Sequence, residues 1–145
     1  NPSNLDTTPI TFTLDLPDTL DFESVTFNIL ACDESVPYTY IEIPEQDGDI
    51  LNDSIYERNM SVEEKLNVKL KLTTVNGTDT EPPVRASVLS GEQAYDLVSP
   101  HILRSISTLV VQNLVQDFND VPHIDFDKPW WDTSMAKDLS IVNKL

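Results

Sequence analysis

With 145 residues, 39% of them apolar, the chain has the size of one domain and enough apolar side chains for a core. Its 25 acidic against 9 basic residues give a formal net charge of −16, which argues against a phosphate-gripping nucleic-acid surface and against anionic lipid. A single cysteine, Cys32, excludes an internal disulfide, and no window nears the ~20 apolar residues of a membrane span.

Residues 1–22 are rich in Pro, Thr and Asp and read as an arm or linker. Within them Ile10-Thr11-Phe12-Thr13-Leu14-Asp15-Leu16 alternates apolar and polar residues, as an edge strand or docked arm would. No signal peptide is present, and a start at Asn1 rather than Met is expected of a processed or trimmed product. Val25-Thr26-Phe27-Asn28-Ile29-Leu30 is the first predicted strand, β-branched and aromatic-rich. Cys32 follows it as a buried structural thiol. Residues 31–51 are irregular, with room for a short strand around Tyr38 to Ile43. Asn52 or Asp53 then caps a predicted helix that carries Ile55, Val62 and Leu66 on one face and ends near Asn67. Val68-Lys69-Leu70-Lys71-Leu72 alternates as the second strand.

Asn76-Gly77-Thr78 is a turn, and Pro82-Pro83 opens a short helix that Gly91 stops. Tyr95 to Ser99 is the third strand. The run Ile102 to Val115 predicts a helix with Ile102, Ile106, Leu109, Val110 and Leu114 as its apolar stripe. Its β-branched residues require packing rather than propensity to hold it. Gln116 to Asp127 is a loop. Pro129 opens a last helix through about Lys137, with Asp127 as candidate cap, and Leu139 to Val142 starts a strand. Ser140-Ile141-Val142-Asn143-Lys144-Leu145 reads as a strand, a turn and the first residue of a returning strand. The natural protein is therefore expected to continue.

Three strand–helix units in series imply an α/β, three-layer parallel sheet, simplest in the strand order 2-1-3, with helices on both faces. Ligands of such sheets sit at the carboxyl ends of the strands. Asp96-Leu97-Val98-Ser99-Pro100-His101 is the clearest strand-to-helix junction of this kind. Ser99, Pro100 and His101 are candidate ligand contacts, because N–H groups at a following helix start are free to bind an anion or hydroxyl oxygen, and His101 can donate or accept. The plainer alternative is Ser99 as a cap with His101 exposed.

Enzyme signatures are weak. The three glycines are isolated at turns, so a Rossmann or phosphate loop is ruled out. His101 and His123 are the only histidines, and a zinc site would need carboxylates to fill it. Ser99, His101 and Asp96 could be imagined as a triad, but no nucleophile-elbow glycines flank the serine. Asp47-Gly48-Asp49 with Asn52 and Asp53 lacks the spacing of a calcium loop and reads better as an acidic turn before a capped helix. Asn52-Asp53-Ser54, Asn59-Met60-Ser61 and Asn76-Gly77-Thr78 match the glycosylation tripeptide only weakly. Asp125 and Asp127 are the carboxylate pair a hydrolase reading would use, though alternate acids on a loop are usually solvated. No cofactor and no metal is expected.

Trp130-Trp131 is more suggestive. Adjacent indoles on a helix start diverge by about 100° and cannot both face the core. One is expected inside; the other is free to stack on a sugar ring or to wedge against a further part of the protein. Tyr38 and Tyr40 could stack likewise.

The chain resembles the N-terminal lobe of bacterial extracellular solute-binding proteins, the receptors of ABC importers, especially the sugar-type lipoproteins of Gram-positive gut bacteria. The residues that carry this are Leu16-Pro17-Asp18 ahead of Val25 to Leu30, Leu51-Asn52-Asp53-Ser54-Ile55-Tyr56-Glu57-Arg58-Asn59, and Val62-Glu63-Glu64-Lys65-Leu66-Asn67-Val68. Tyr95 to Pro100, Leu114 to Pro122, Lys128-Pro129-Trp130-Trp131-Asp132 and Ser140 to Leu145 complete the match, from Leu16 onward. The resemblance implies two α/β lobes closing on a solute, with residues 23–145 as part of the first lobe of a periplasmic-binding-protein-like fold. It implies an extracellular lipoprotein handing a solute to ABC permease subunits, held to the membrane only through a lipid anchor missing from this chain. The family's Asn-Gly turn is here Val142-Asn143-Lys144, a departure at glycine. Its ligand contacts come from loops after the first and third strands, here Ala31 to Tyr38 and Ser99 to His101.

The expectation is thus a non-enzymatic receptor lobe for a small solute, a carbohydrate by preference. Ala31, Cys32, Asp33, Tyr38, Ser99, Pro100 and His101, with Trp130 or Trp131, would line its half of the cleft. The alternative is a surface adhesion or interaction module of a larger secreted protein.

Overall fold

A computed structural model describes residues 16–17, 19–33, 41–76, 79–101, 103–142 and 144. The expected arm (Ile10 to Asp15), the possible strand residues Tyr38 to Tyr40, and Gly77, Thr78, Ile102, Asn143 and Leu145 lie outside them.

β1 (Val25–Cys32), β2 (Val68–Val75) and β3 (Leu97–Ser99) form an all-parallel sheet in the order β2-β1-β3, as the strand–helix alternation predicts. β1 is the central strand. Ile29, Leu30, Ala31 and Cys32 are consecutive and all buried. Successive strand residues point to opposite faces, so this run requires cover on both sides of the sheet. Leu30, fully buried, meets Val84 and Leu109 from the two helices that follow β2 and β3, with Val75, Tyr95, Val98, Leu114 and Val115 around them. β2 alternates strictly through Leu72, with Val68, Leu70 and Leu72 inward and Lys69 and Lys71 outward. Lysines on an outer strand also discourage edge-to-edge pairing.

α1 (Ile50–Leu66) starts earlier than the apolar stripe suggested. Its cap is Asp49, not Asn52 or Asp53: the Asp49 carboxylate accepts from Leu51 N at 2.9 Å and Asn52 N at 3.1 Å. The Asp53 carboxylate instead reaches back to Asp47 N and Gly48 N at 3.1 and 3.3 Å. Ile50 and Leu51 in the first turn are exposed, which is why hydrophobic spacing pointed past them. The helix ends at Asn67, left-handed at φ 48°, whose side chain accepts from Ser24 Oγ and donates to Asp21 Oδ1, both at 2.7 Å. The entry to β1 is thereby fastened to the end of α1.

α2 (Glu81–Ser90) has prolines in its first turn and Gly91 at φ 73° as its C-cap, as expected. α3 (Ile106–Val111) is far shorter than the expected Ile102-to-Val115 helix. Residues 103–105 are a turn, and Asn113 adopts φ 53°, which ends the helix before Leu114. The β-branched run cannot extend it without more packing.

After a 3₁₀ turn at Phe118–Asp120, α4 (Thr133–Asp138) also starts later than Pro129 would have it. Asp127 is not its cap; its own N–H donates to Asp125 Oδ1 at 3.0 Å. Of the expected last strand, a single antiparallel bridge, Ile141 to Lys144, is present.

Candidate functional site

The sheet register brings the strand ends together. Cys32 pairs with Val75 and Ala31 with Ser99, and Asp33 N continues the ladder to Val75 O at 3.1 Å. Parallel strands necessarily end on the same side. The segments Ala31-Cys32-Asp33, Val75-Asn76 and Ser99-Pro100-His101 therefore share one edge of the sheet, and the sequence reading places the first and the third of them there. Ala31 and Cys32 are buried, whereas Asp33, Ser99, Pro100 and His101 are half-buried. Tyr38 lies outside the described residues.

Three backbone N–H groups that follow this edge are engaged within the chain. Leu103 N donates to His101 Nδ1 at 3.2 Å, and Arg104 N and Ser105 N both donate to His101 O at 3.1 Å. The Leu103, Arg104 and Ser105 N–H groups are spent on the turn that His101 organises, and α3 begins only after it. An accepting Nδ1 leaves the neutral ring with its proton on Nε2, so His101 is a donor on its other side.

Asp96 has a structural task that its place in an imagined triad did not reveal. Its Oδ2 accepts from Asn28 N at 2.7 Å and Asn28 Nδ2 at 3.3 Å, and Asp96 N donates to Asn28 O at 2.8 Å. The carboxylate acts like one more carbonyl of the β1–β3 ladder. With Asp96 on Asn28 and His101 Nδ1 on Leu103, the Asp-to-His link of a triad is not made.

A buried clasp that sequence reasoning missed joins the starts of α2 and α3. Ser105 Oγ accepts from Thr80 N at 3.1 Å and donates to Asp79 Oδ1 at 3.2 Å, and Thr80 and Ser105 are both fully buried. The same carboxylate oxygen takes Glu81 N at 3.1 Å. The signal was Asp79-Thr80 ahead of Glu81-Pro82-Pro83, a helix-start pattern. Thr80 Oγ1 is buried with no hydrogen-bond partner.

Trp130 and Trp131 sit in the turn before α4, not on a helix, so the divergence expected of them does not apply; they are 39% and 42% exposed and neither is buried. Trp131 packs on Phe126 with ring centroids 5.2 Å apart and planes tilted by 53°. Both indoles border a cavity of about 290 Å³ that also includes His123 and Lys128. None of the strand-end residues lines it, so the structure does not bring the tryptophans and the Ser99–His101 turn into one pocket.

A larger groove of about 720 Å³ runs along β3, walled by Phe27, Tyr95, Val98, Val110, Leu114 and Phe118 and reaching Pro100. Ile124 borders both spaces.

The Asp47 turn spends its carboxylates locally: Oδ1 accepts from Asp49 N at 2.9 Å and Oδ2 from Asn52 Nδ2 at 2.8 Å. Those two contacts hold the Asp47 carboxyl below its ordinary pKa, the Asp49 N–H first. Among the described residues no group of three or more His, Cys, Asp and Glu is placed to hold a metal, and no helix is long and apolar enough to cross a membrane.

No protein-family model, curated protein or solved structure matches this chain.

Proposed function

We propose that the chain forms part of a lobe of an extracellular solute receptor for an ABC importer, with a small solute, a carbohydrate by preference, held at the carboxyl edge of the sheet. The observation that carries this is the register that sets Cys32 against Val75 and Ala31 against Ser99. Three strand ends that open on one side form the kind of rim on which α/β proteins hold small molecules. On this reading the lobe has the periplasmic-binding-protein-like architecture with helices on both faces, and a second lobe closes over the rim by hinge motion. The protein performs no chemistry. It works outside the cell on a lipid tether and passes its solute to permease subunits.

Asp33, Ser99 and the Nε2 side of His101 are the groups offered to the solute, with Ala31 and Cys32 as floor and Pro100 as a rigid lip. The test is calorimetric titration of the protein with neutral sugars, amino acids and short peptides. Saturable binding weakened by Ser99→Ala and His101→Ala supports the reading, and no heat with any of them ends it.

A second reading, an interaction module of a larger surface protein, is favoured by the apolar groove along β3. In a receptor that groove is covered by further strands of the same lobe. In a module it takes a protein partner, and the titration then gives no small-molecule heat.

A further inference from the structure

We propose that Asn76 is a site of spontaneous modification: its carboxamide cyclises onto the next backbone nitrogen, that of Gly77, and opens with water to aspartate and isoaspartate. Asn76 stands on the same sheet edge as the candidate site, but its chemistry does not depend on the receptor reading.

The step needs a carboxamide free to turn and a following peptide nitrogen that can be reached. The first need separates Asn76 from every other asparagine among the described residues. Nδ2 of Asn28, Asn52, Asn59, Asn67 and Asn119 donates to Asp96, Asp47, Ile41 O, Asp21 and Asp117 in turn, at 2.7 to 3.3 Å. Asn113 Oδ1 accepts from Lys144 Nζ at 2.6 Å. Asn76 is exposed in the bend just past β2, and its carboxamide makes no hydrogen bond among the described residues.

The second need sorts the same residues. Asp53 N, which follows Asn52, is held by Asp49 O at 2.9 Å. Leu114 N, after Asn113, is held by Leu109 O at 2.9 Å, and Asp120 N, after Asn119, by Asp117 O at 3.0 Å. Ile29 and Met60, after Asn28 and Asn59, lie inside β1 and α1, where backbone N–H groups are spent on the ladder and the helix. Each of these followers, and Val68 after Asn67, also carries a Cβ beside its nitrogen. Gly77 lies outside the described residues and counts by its identity alone: it has no Cβ to shield the attack.

Water closes the balance. Gly77 N gives its proton to solvent and attacks Asn76 Cγ. The Cγ–Nδ2 bond breaks, and Nδ2 takes up a proton and leaves as ammonia. The cyclic imide then consumes one water. Opening at Cγ gives aspartate, and opening at the main-chain carbonyl gives isoaspartate, with the backbone routed through Cβ and Cγ. Either product adds a carboxylate to the sheet edge, next to Val75, whose carbonyl takes Asp33 N at 3.1 Å.

The experiment keeps the purified protein in warm neutral buffer for weeks. Ammonia release is followed together with the mass of each asparagine peptide, and isoaspartate is counted with an isoaspartyl methyltransferase. The Asn76 peptide should lose its amide first, with isoaspartate in excess of aspartate, while Asn28, Asn52, Asn59, Asn67, Asn113 and Asn119 keep theirs. In urea those six should gain rate and Asn76 change little, because the fold does not restrain it. Gly77→Ala should slow the loss, and Asn76→Gln should end it.

An Asn76 amide that outlasts that of Asn52 or Asn59 overturns the site. So does aspartate without isoaspartate, which would mean direct hydrolysis with no ring. A rate at Asn76 that rises in urea as much as the others does so too. These three outcomes are read on the unmodified sequence and stand even if a variant fails to fold.

Discussion

Residues 25–99 and residues 112–144 belong to one chain but are held by different forces. In the first region four consecutive residues of β1 are buried, and Leu30 closes against Val84 and, from α3, Leu109. In the second, none of the described residues is buried, and the backbone is shaped by short-range contacts such as Asp117 Oδ1 to Asn119 N at 2.9 Å and Asp125 Oδ1 to Asp127 N at 3.0 Å. A region held by burial is rigid and costly to damage. A region held by local turns changes cheaply, and the two exposed tryptophans are carried there.

The contrast breaks most visibly at Leu30. Leu30→Ala empties the centre of the core and should cost about 2–5 kcal/mol in urea unfolding. Phe118→Ala, at a side chain 42% exposed, should cost under about 1 kcal/mol. Equal losses would erase the distinction between the regions.

Asp96→Ala comes next. It strips Asn28 N of its acceptor and should cost about 1–3 kcal/mol, with faster amide exchange concentrated in Leu97 to Ser99. Unchanged exchange there would mean that the β1 ladder and side-chain packing hold β3 without Asp96. Asp49→Ala removes the α1 cap and should cost about 1 kcal/mol, whereas Asp53→Ala costs less because that residue only braces the turn.

The smallest effect is acid sensitivity. Asp21 is held below its ordinary pKa by Glu23 N–H first and the Asn67 amide second, and Asp47 by Asp49 N–H and the Asn52 amide. In that range the folded chain binds fewer protons than the unfolded one, so stability rises with pH. The contribution is complete above the ordinary carboxyl range and is lost as pH falls toward the lowered folded values. Both groups are exposed, so the slope is shallow. Asp21→Asn with Asp47→Asn should flatten the acid limb of stability against pH, and an unaltered limb would place the effect elsewhere.

The same division governs what could be read from the sequence. Burial imprints a period, so the alternation of Val68 to Leu72 and the β-branched Val25 to Leu30 gave both strands, and repetition of strand and helix gave the parallel order 2-1-3. Gly91 and Asn67 marked helix ends because only a few residues tolerate the left-handed conformation. Helix starts were harder. Asp49 caps by a local hydrogen bond, which leaves no periodic trace, and its exposed neighbours Ile50 and Leu51 misled the spacing. The Ile102-to-Val115 stripe looked helical throughout, yet the His101 turn at one end and Asn113 at the other cut the helix to Ile106–Val111. At the site, the shared strand edge was legible from topology. The engagement of the Leu103, Arg104 and Ser105 N–H groups by His101 was not, because it depends on a local turn and one side-chain contact that leave no periodic trace. The separation of Trp130 and Trp131 from that edge was not legible either, because they sit in a turn whose course leaves no periodic pattern.

Amide shift mapping during addition of a bound solute is the most direct test of the carboxyl-edge assignment. Shifts at Asp33 and at Ser99 and His101, with Val25, Val68 and the other amino-end residues of the strands unmoved, are the expected pattern. Shifts gathered at the amino ends, or along the β3 groove with the strand ends silent, would contradict it.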